Sequence, residues 1–300
     1  MNTSRCLAAL GLSAALGLSV SAGAEGSAGA AEGAAADELF RELGKEEELG
    51  ALELLFSDGF ESGNVSVWNP GPGPTQSCPF TPAPGTGFFT LNSGLTDYVV
   101  RLPVGYDVEN PTPRRLLVAL HGCGDTALNF AGWAAAPFVL RPTLDYIVIS
   151  IGGRDGQFWN LSDATWVDAA IADVRSCFYV HQKEIVLAGF SSGGGLAYKM
   201  ATDDAAAFAG VLIENSSLSS VVGSGNVDAV LSAAAWKIHI GHTARTGDDI
   251  YPIASVQADW TKMLNHAFPL QSRAIPGEHG DVATDWEGFL IPLMATWAAP

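Results

Sequence analysis

The segment 189–193, Gly-Phe-Ser-Ser-Gly, contains the residue types that acyl transfer needs, a serine hydroxyl between two glycines. An apolar run precedes it and a small-residue helical pattern follows, which predicts a strand that turns sharply into a helix. In such a turn, only small residues fit two positions before and two positions after the pivot. Ser191 has glycine at both positions, whereas Ser192 would place Phe190 in the crowded one. Ser191 is therefore the predicted nucleophile.

A serine hydroxyl needs a base that takes its proton, and the base needs an acid that orients it. His279 lies in a Pro-Gly-Glu-His-Gly turn between the last predicted strand and the last predicted helix. In the chain order serine, acid, histidine, this is the position of the base. The acid should follow the preceding strand, where Asp248 and Asp249 are adjacent. Either aspartate satisfies this spacing.

Two backbone N–H groups are expected to stabilise the oxyanion. The N–H of Ser192 directly follows the nucleophile at a predicted helix N-terminus, where the helix dipole favours negative charge. The second donor should lie in the turn after His121, and we assign it to the N–H of Cys123, with a structural role for the His121 side chain. Trp159 and Trp166 are candidate substrate-binding residues, with core or cap packing as the alternative.

The elements that position these residues alternate between strand and helix. The predicted strands are 97–103 at a sheet edge, 115–121, 146–151, 184–189, 210–214, 236–240 and 270–275. Several of them are near-continuous apolar runs, typical of strands covered on both faces. The pattern predicts an α/β fold with a mostly parallel central sheet and helices on both faces. Sites in such sheets form at the carboxyl ends of the strands, where the predicted catalytic residues lie.

Three segments differ in composition. Residues 1–24 have a positive start, a short apolar run and a small-residue cleavage pattern, which predicts a signal peptide and secretion to the extracellular space or periplasm. Residues 25–75 are acidic, rich in Ala, Gly and Glu and then in Pro, as expected of a linker or pro-region. Residues 76–300 are long enough for one α/β domain. The net charge of −17 argues against nucleic acid and anionic membranes as partners.

Cys78, Cys123 and Cys177 remain after the predicted signal. Export permits disulfides, and three cysteines allow one bridge and one free thiol, with the pairing left open. Cysteine and histidine spacings typical of zinc sites are absent, so no metal is expected. The predicted mechanism also requires no cofactor.

Together these motifs resemble the secreted α/β-hydrolases of the group that holds feruloyl esterases, acetylxylan esterases and polyhydroxybutyrate depolymerases. The matching segments are Tyr98–Tyr106, Leu117–Gly124, Trp159-Asn160, Asp168, Gly189–Gly194, Asp248–Pro252 and Gly277–Gly280. The acid of this group usually stands four residues before the proline, which selects Asp248, although the loop before it is longer than usual. Cys78 resembles the start of the fungal-type feruloyl esterases.

The resemblance implies an α/β-hydrolase domain over 76–300 that hydrolyses carboxylic esters through an acyl-serine. The expected substrates are feruloyl or acetyl esters of plant-wall polysaccharide. Polyhydroxybutyrate and small soluble esters are alternative substrates. A serine peptidase of the same fold and a non-catalytic binding protein on a hydrolase fold are alternative classes.

Overall fold

The computed structural model describes residues 70–75, 78, 84–85, 87–132, 145–154, 156–281 and 285–300. The predicted signal peptide and the predicted linker up to residue 69 lie outside the described residues. The described residues from Pro70 onwards belong to one compact unit, and the domain boundary at residue 76 stays a prediction. Backbone hydrogen bonds attach residues 70–75 to this unit, since the N–H of Gln182 donates to the carbonyl of Pro70 and the N–H of Thr75 donates to that of Ser176.

One sheet of eight strands, in the order β1-β2-β4-β3-β5-β6-β7-β8, forms the centre of the described region. The strands are β1 (Phe89–Asn92), β2 (Asp97–Arg101), β3 (Arg114–Leu120), β4 (Tyr146–Ile151), β5 (Val180–Phe190), β6 (Gly210–Glu214), β7 (His239–Arg245) and β8 (Leu270–Ile275). The β1–β2 and β2–β4 pairs are antiparallel and the other pairs are parallel. The predicted mostly parallel sheet is confirmed.

Helices connect the parallel strands and follow the last of them. They are α1 (Ala164–Cys177), α2 (Ser192–Asp203), α3 (Ser219–Val222), α4 (Val227–Ala233), α5 (Ile253–Asn265) and α6 (Ile291–Leu293). A π-helical turn, Trp286–Leu290, leads into α6, and residues 127–132 are also helical. In the described parts of the chain, no helix has the length and apolar character needed to cross a membrane.

Alternate residues of β3 face two different hydrophobic cores. Leu116 and Val118 pack in one core with side chains of α1 and α2. Leu117 and Ala119 pack in the other core with the Trp286–Leu290 turn. A strand that is buried on both faces must be apolar at every position, which explains its continuous apolar sequence. The prediction of helices on both faces of the sheet is confirmed.

Two strands differ from their predictions. β2 is not an edge strand, because the short and half-exposed β1 pairs with its outer side. β7 starts at His239, not at residue 236, and continues to Arg245, so His242 lies inside the strand and not after it. Burial lowers the pKa of His242 to about 3, and the Trp260 indole N–H and the Tyr198 hydroxyl each lie 2.7 Å from its Nδ1. A neutral, hydrogen-bonded imidazole is compatible with the core.

A disulfide joins Cys78 to Cys177, a sequence separation of 99 residues. It attaches the segment before β1 to the last residue of α1. Cys123, the remaining cysteine of the described region, is also disulfide-bonded. One free thiol in the chain without residues 1–24 stays a prediction.

Candidate active site

Ser191 is the pivot between β5 and α2, with φ 53° and ψ −120°. This is a conformation that residues other than glycine rarely adopt, and such strain is typical of functional turns. A Cβ atom on Gly189 would lie 2.5 Å from the backbone of Gly193, and one on Gly193 would lie 2.2 Å from the carbonyl oxygen of Leu120. Only glycine fits at these two positions, as the spacing of the segment predicted.

The three predicted catalytic side chains lie in one row. His279 Nε2 is 3.0 Å from Ser191 Oγ, and His279 Nδ1 is 2.7 Å from Asp248 Oδ2. Each residue follows a different parallel strand, β5, β7 or β8, so the carboxyl edge of the sheet brings them together. All three are at least nine-tenths buried. With the proton on Nδ1 held by Asp248, Nε2 accepts a hydrogen bond from the serine hydroxyl.

Asp248, and not Asp249, faces the histidine. The second oxygen of its carboxylate accepts hydrogen bonds from the backbone N–H groups of Ile250 at 2.8 Å and Tyr251 at 2.9 Å. Together with His279 Nδ1, these two N–H groups hold both oxygens of the carboxylate in place. Asp249 is exposed to solvent.

Two aromatic rings and an amide surround His279. Phe190 stacks on its imidazole with centroids 5.0 Å apart, and Tyr251 stacks on it at 5.6 Å. The side-chain N–H of Asn215 donates to the His279 carbonyl at 2.7 Å. Sequence reasoning missed these roles. Tyr251 lies within the Asp-x-x-Tyr-Pro motif, and Asn215 directly follows β6, so motif and strand-end position were the available signals.

Burial raises the pKa of Tyr251, whereas the hydroxyls of Ser191, Ser216 and Ser220 lower it and the charge of Asp248 raises it. Tyr251 is only 5% exposed. The raised pKa favours the protonated phenol, whose hydroxyl interacts with that of Ser191.

The turn after β3 lies directly against the nucleophile. A Cβ atom on Gly122 would be 2.5 Å from the Phe190 ring and 3.4 Å from Ser191 Cβ. The indole N–H of Trp159 donates to the His121 carbonyl at 2.8 Å, and the rings of Trp159 and His121 lie 5.1 Å apart. Trp159 is buried in the core and supports this turn, and its contact with substrate stays a prediction.

Ser192 and Cys123 are the predicted oxyanion donors. Ser192 is the first residue of α2, where a backbone N–H has no acceptor within its own helix. Cys123 follows the turn that contacts Ser191. Trp166 is half-buried, and the guanidinium of Arg154 lies 5.0 Å from its ring centroid. The roles of these three residues stay predictions.

A buried charged cluster lies beneath the histidine loop, and the sequence analysis did not identify it. Arg245 Nη2 is 2.6 Å from Asp285 Oδ2, and Arg245 Nε donates to the carbonyl of Asp281. Burial raises the pKa of Glu214 well above its usual range, and the neighbouring Asp285 raises it further. The backbone carbonyl of Glu214 also accepts the N–H of Ser191 at 3.0 Å. The cluster thus joins the ends of β6 and β7 to the segment that follows His279.

No set of three or more His, Cys, Asp or Glu residues in the described region is arranged to hold a metal ion.

No family model matches the chain. It is 30% identical over 164 residues to feruloyl esterase C of Emericella nidulans, an alignment that covers 49% of this chain and 60% of that protein. It is 28% identical over 158 residues to the probable feruloyl esterase C of Aspergillus niger, covering 51% and 57%. The chain thus spans somewhat more than half the length of the curated relatives that it matches.

Comparison of this chain with solved structures identifies its fold. A ferulic acid esterase superposes with a TM-score of 0.51 at 19% identity, covering 69% of this chain and 94% of that one. A thermostable esterase gives a TM-score of 0.55 at 16% identity, covering 70% and 62%. The S-formylglutathione hydrolase of Staphylococcus aureus gives 0.54 at 14% identity, covering 69% and 97%. The chain has the fold of the α/β-hydrolase esterases.

Proposed function

We propose that this chain is a carboxylic-ester hydrolase that works through an acyl-serine on Ser191. The observation that carries the proposal is the position of His279, which connects Ser191 Oγ at 3.0 Å with Asp248 Oδ2 at 2.7 Å. The likeness to feruloyl esterase C over about half the chain supports the same chemistry.

In the proposed reaction, His279 Nε2 takes the proton of Ser191 while Asp248 holds the proton on Nδ1. The serine oxygen attacks the ester carbonyl, and the N–H groups of Ser192 and Cys123 stabilise the oxyanion. When the intermediate collapses, His279 gives its proton to the departing alcohol. Water then attacks the acyl-serine with His279 again as base, which releases the acid and restores the serine.

The proposed substrates are feruloyl or acetyl esters of plant-wall polysaccharide, which the protein would meet after secretion. The likeness to feruloyl esterases and the sequence motifs support the feruloyl assignment. The signal-like composition of residues 1–24 supports export.

The test is hydrolysis of methyl ferulate, p-nitrophenyl acetate and a polyhydroxybutyrate suspension by the wild-type chain and by Ser191→Ala. We expect release of ferulate that Ser191→Ala lowers by several orders of magnitude. Turnover of the polymer in place of ferulate would identify a depolymerase, and activity on the acetate alone would identify a small-ester esterase. Cleavage of peptide reporters alone would favour a peptidase, and no activity on any substrate would favour a binding protein.

A further inference from the structure

Tyr251 contacts all three members of the proposed catalytic row. Its backbone N–H donates to Asp248 Oδ1 at 2.9 Å, and its ring stacks on the imidazole of His279 at 5.6 Å with 25° between the planes. Its hydroxyl interacts with that of Ser191. Phe190 also stacks on the His279 ring, at 5.0 Å, whereas Tyr251 contacts Asp248 as well as His279.

We propose that Tyr251 is a positioning residue for acyl transfer, which holds the rotamer of Ser191 and the plane of the His279 ring. The proposal rests on the proposed function. During the two proton transfers, the imidazole must keep its orientation toward both Ser191 and Asp248. A ring stacked on its face opposes such rotation, and a hydroxyl beside Ser191 Oγ restricts the serine rotamers.

The rigidity of the Tyr251 side chain follows from its own surroundings. It is 5% exposed, and its hydroxyl faces the hydroxyls of Ser216 and Ser220 as well as Ser191. The next residue, Pro252, begins the connection into α5 with a fixed φ. Since the backbone and the side chain of Tyr251 are both fixed, the residue can hold Ser191 and His279 in place.

Two substitutions separate the ring from the hydroxyl. Tyr251→Phe keeps the ring and the backbone N–H but removes the hydroxyl, and we expect kcat for p-nitrophenyl acetate to fall by about threefold to tenfold. Tyr251→Leu also removes the stacked ring, and we expect a fall of about tenfold to a hundredfold, since small misplacements in an active site have effects of this size. KM should stay within about twofold in both variants, because the substrate contacts are unchanged.

Tyr106 provides a matched control at the opposite end of the sheet. It is buried, its hydroxyl accepts the N–H of Tyr179 at 2.8 Å, and its ring meets Phe178 edge-on. Tyr106→Phe and Tyr106→Leu should lower the melting temperature without lowering kcat of the folded enzyme. If Tyr251→Leu does not fold, the comparison of the two phenylalanine variants decides the matter.

Equal kcat in the Tyr251 and Tyr106 variants, with an active wild type, would overturn the proposal and leave the proposed function standing. A rise in KM with unchanged kcat would also overturn it, because Tyr251 would then contact the substrate and not position the triad. A wild-type chain that hydrolyses no ester would instead reject the proposed function, and this inference with it.

Discussion

Asp248 and Asp249 are neighbours with the same chemistry, but their surroundings differ completely. Asp248 is 5% exposed and holds His279 Nδ1 at 2.7 Å, whereas Asp249 points to solvent. A carboxylate that orients the base and stabilises the imidazolium in the transition state has a large effect on rate.

We therefore expect Asp248→Asn to lower kcat by about four orders of magnitude, since the amide would favour the wrong tautomer of His279. Asp249→Asn is the matched control and should leave kcat within about twofold. Steady-state hydrolysis of p-nitrophenyl acetate measures both. If Asp249→Asn had the larger effect, the assignment of the acid would be wrong.

Glu214, the last residue of β6, contributes to the site through both its backbone and its side chain. The carbonyl of Glu214 accepts the N–H of the nucleophile, and its side chain, 0% exposed, lies beside the pair of Arg245 and Asp285. Burial and Asp285 keep the Glu214 carboxyl protonated well above its usual pKa. The unfolded chain loses this proton at a lower pH than the folded one, so Glu214 makes the protein less stable as the pH rises.

Glu214→Gln keeps the shape of the neutral side chain and removes its titration. We expect the free energy of unfolding of the wild type to fall relative to this variant as the pH rises from about 4 to about 8. Urea unfolding across that range measures the difference, and Glu109→Gln, at an exposed loop position, is the control. Parallel curves for wild type and Glu214→Gln would show that the carboxyl is ionised in the folded protein.

At the scale of the whole molecule, the sequence predicted those parts whose signals are local. The strand, turn and helix around Ser191 are contiguous, and the requirement for glycine at 189 and 193 is a property of that turn alone. The position of His279 followed from strand order, because the carboxyl ends of parallel strands share one edge. The choice of Asp248 needed family resemblance, since spacing alone allowed either aspartate.

The rest depended on contacts between residues distant in the sequence. Arg245 and Asp285 are 40 positions apart and meet only after β7 and the last helical turns pack together. The predicted strand ended at residue 240, before the polar end of β7. His242 can lie inside the strand because its hydrogen-bond partners are on α2 and α5, and the sequence does not show these contacts. The Trp159 indole supports the turn after β3 through the His121 carbonyl, 38 positions earlier in the sequence.

The most direct test of the whole account is to locate the nucleophile. The full chain would be treated with a fluorophosphonate, digested and mapped by mass spectrometry, beside His279→Ala. We predict that a single phosphonyl group is bound to Ser191 in the wild type, and that His279→Ala reacts far more slowly because nothing removes the serine proton. Labelling at another residue, no labelling of the wild type, or equal rates in both proteins would contradict the account.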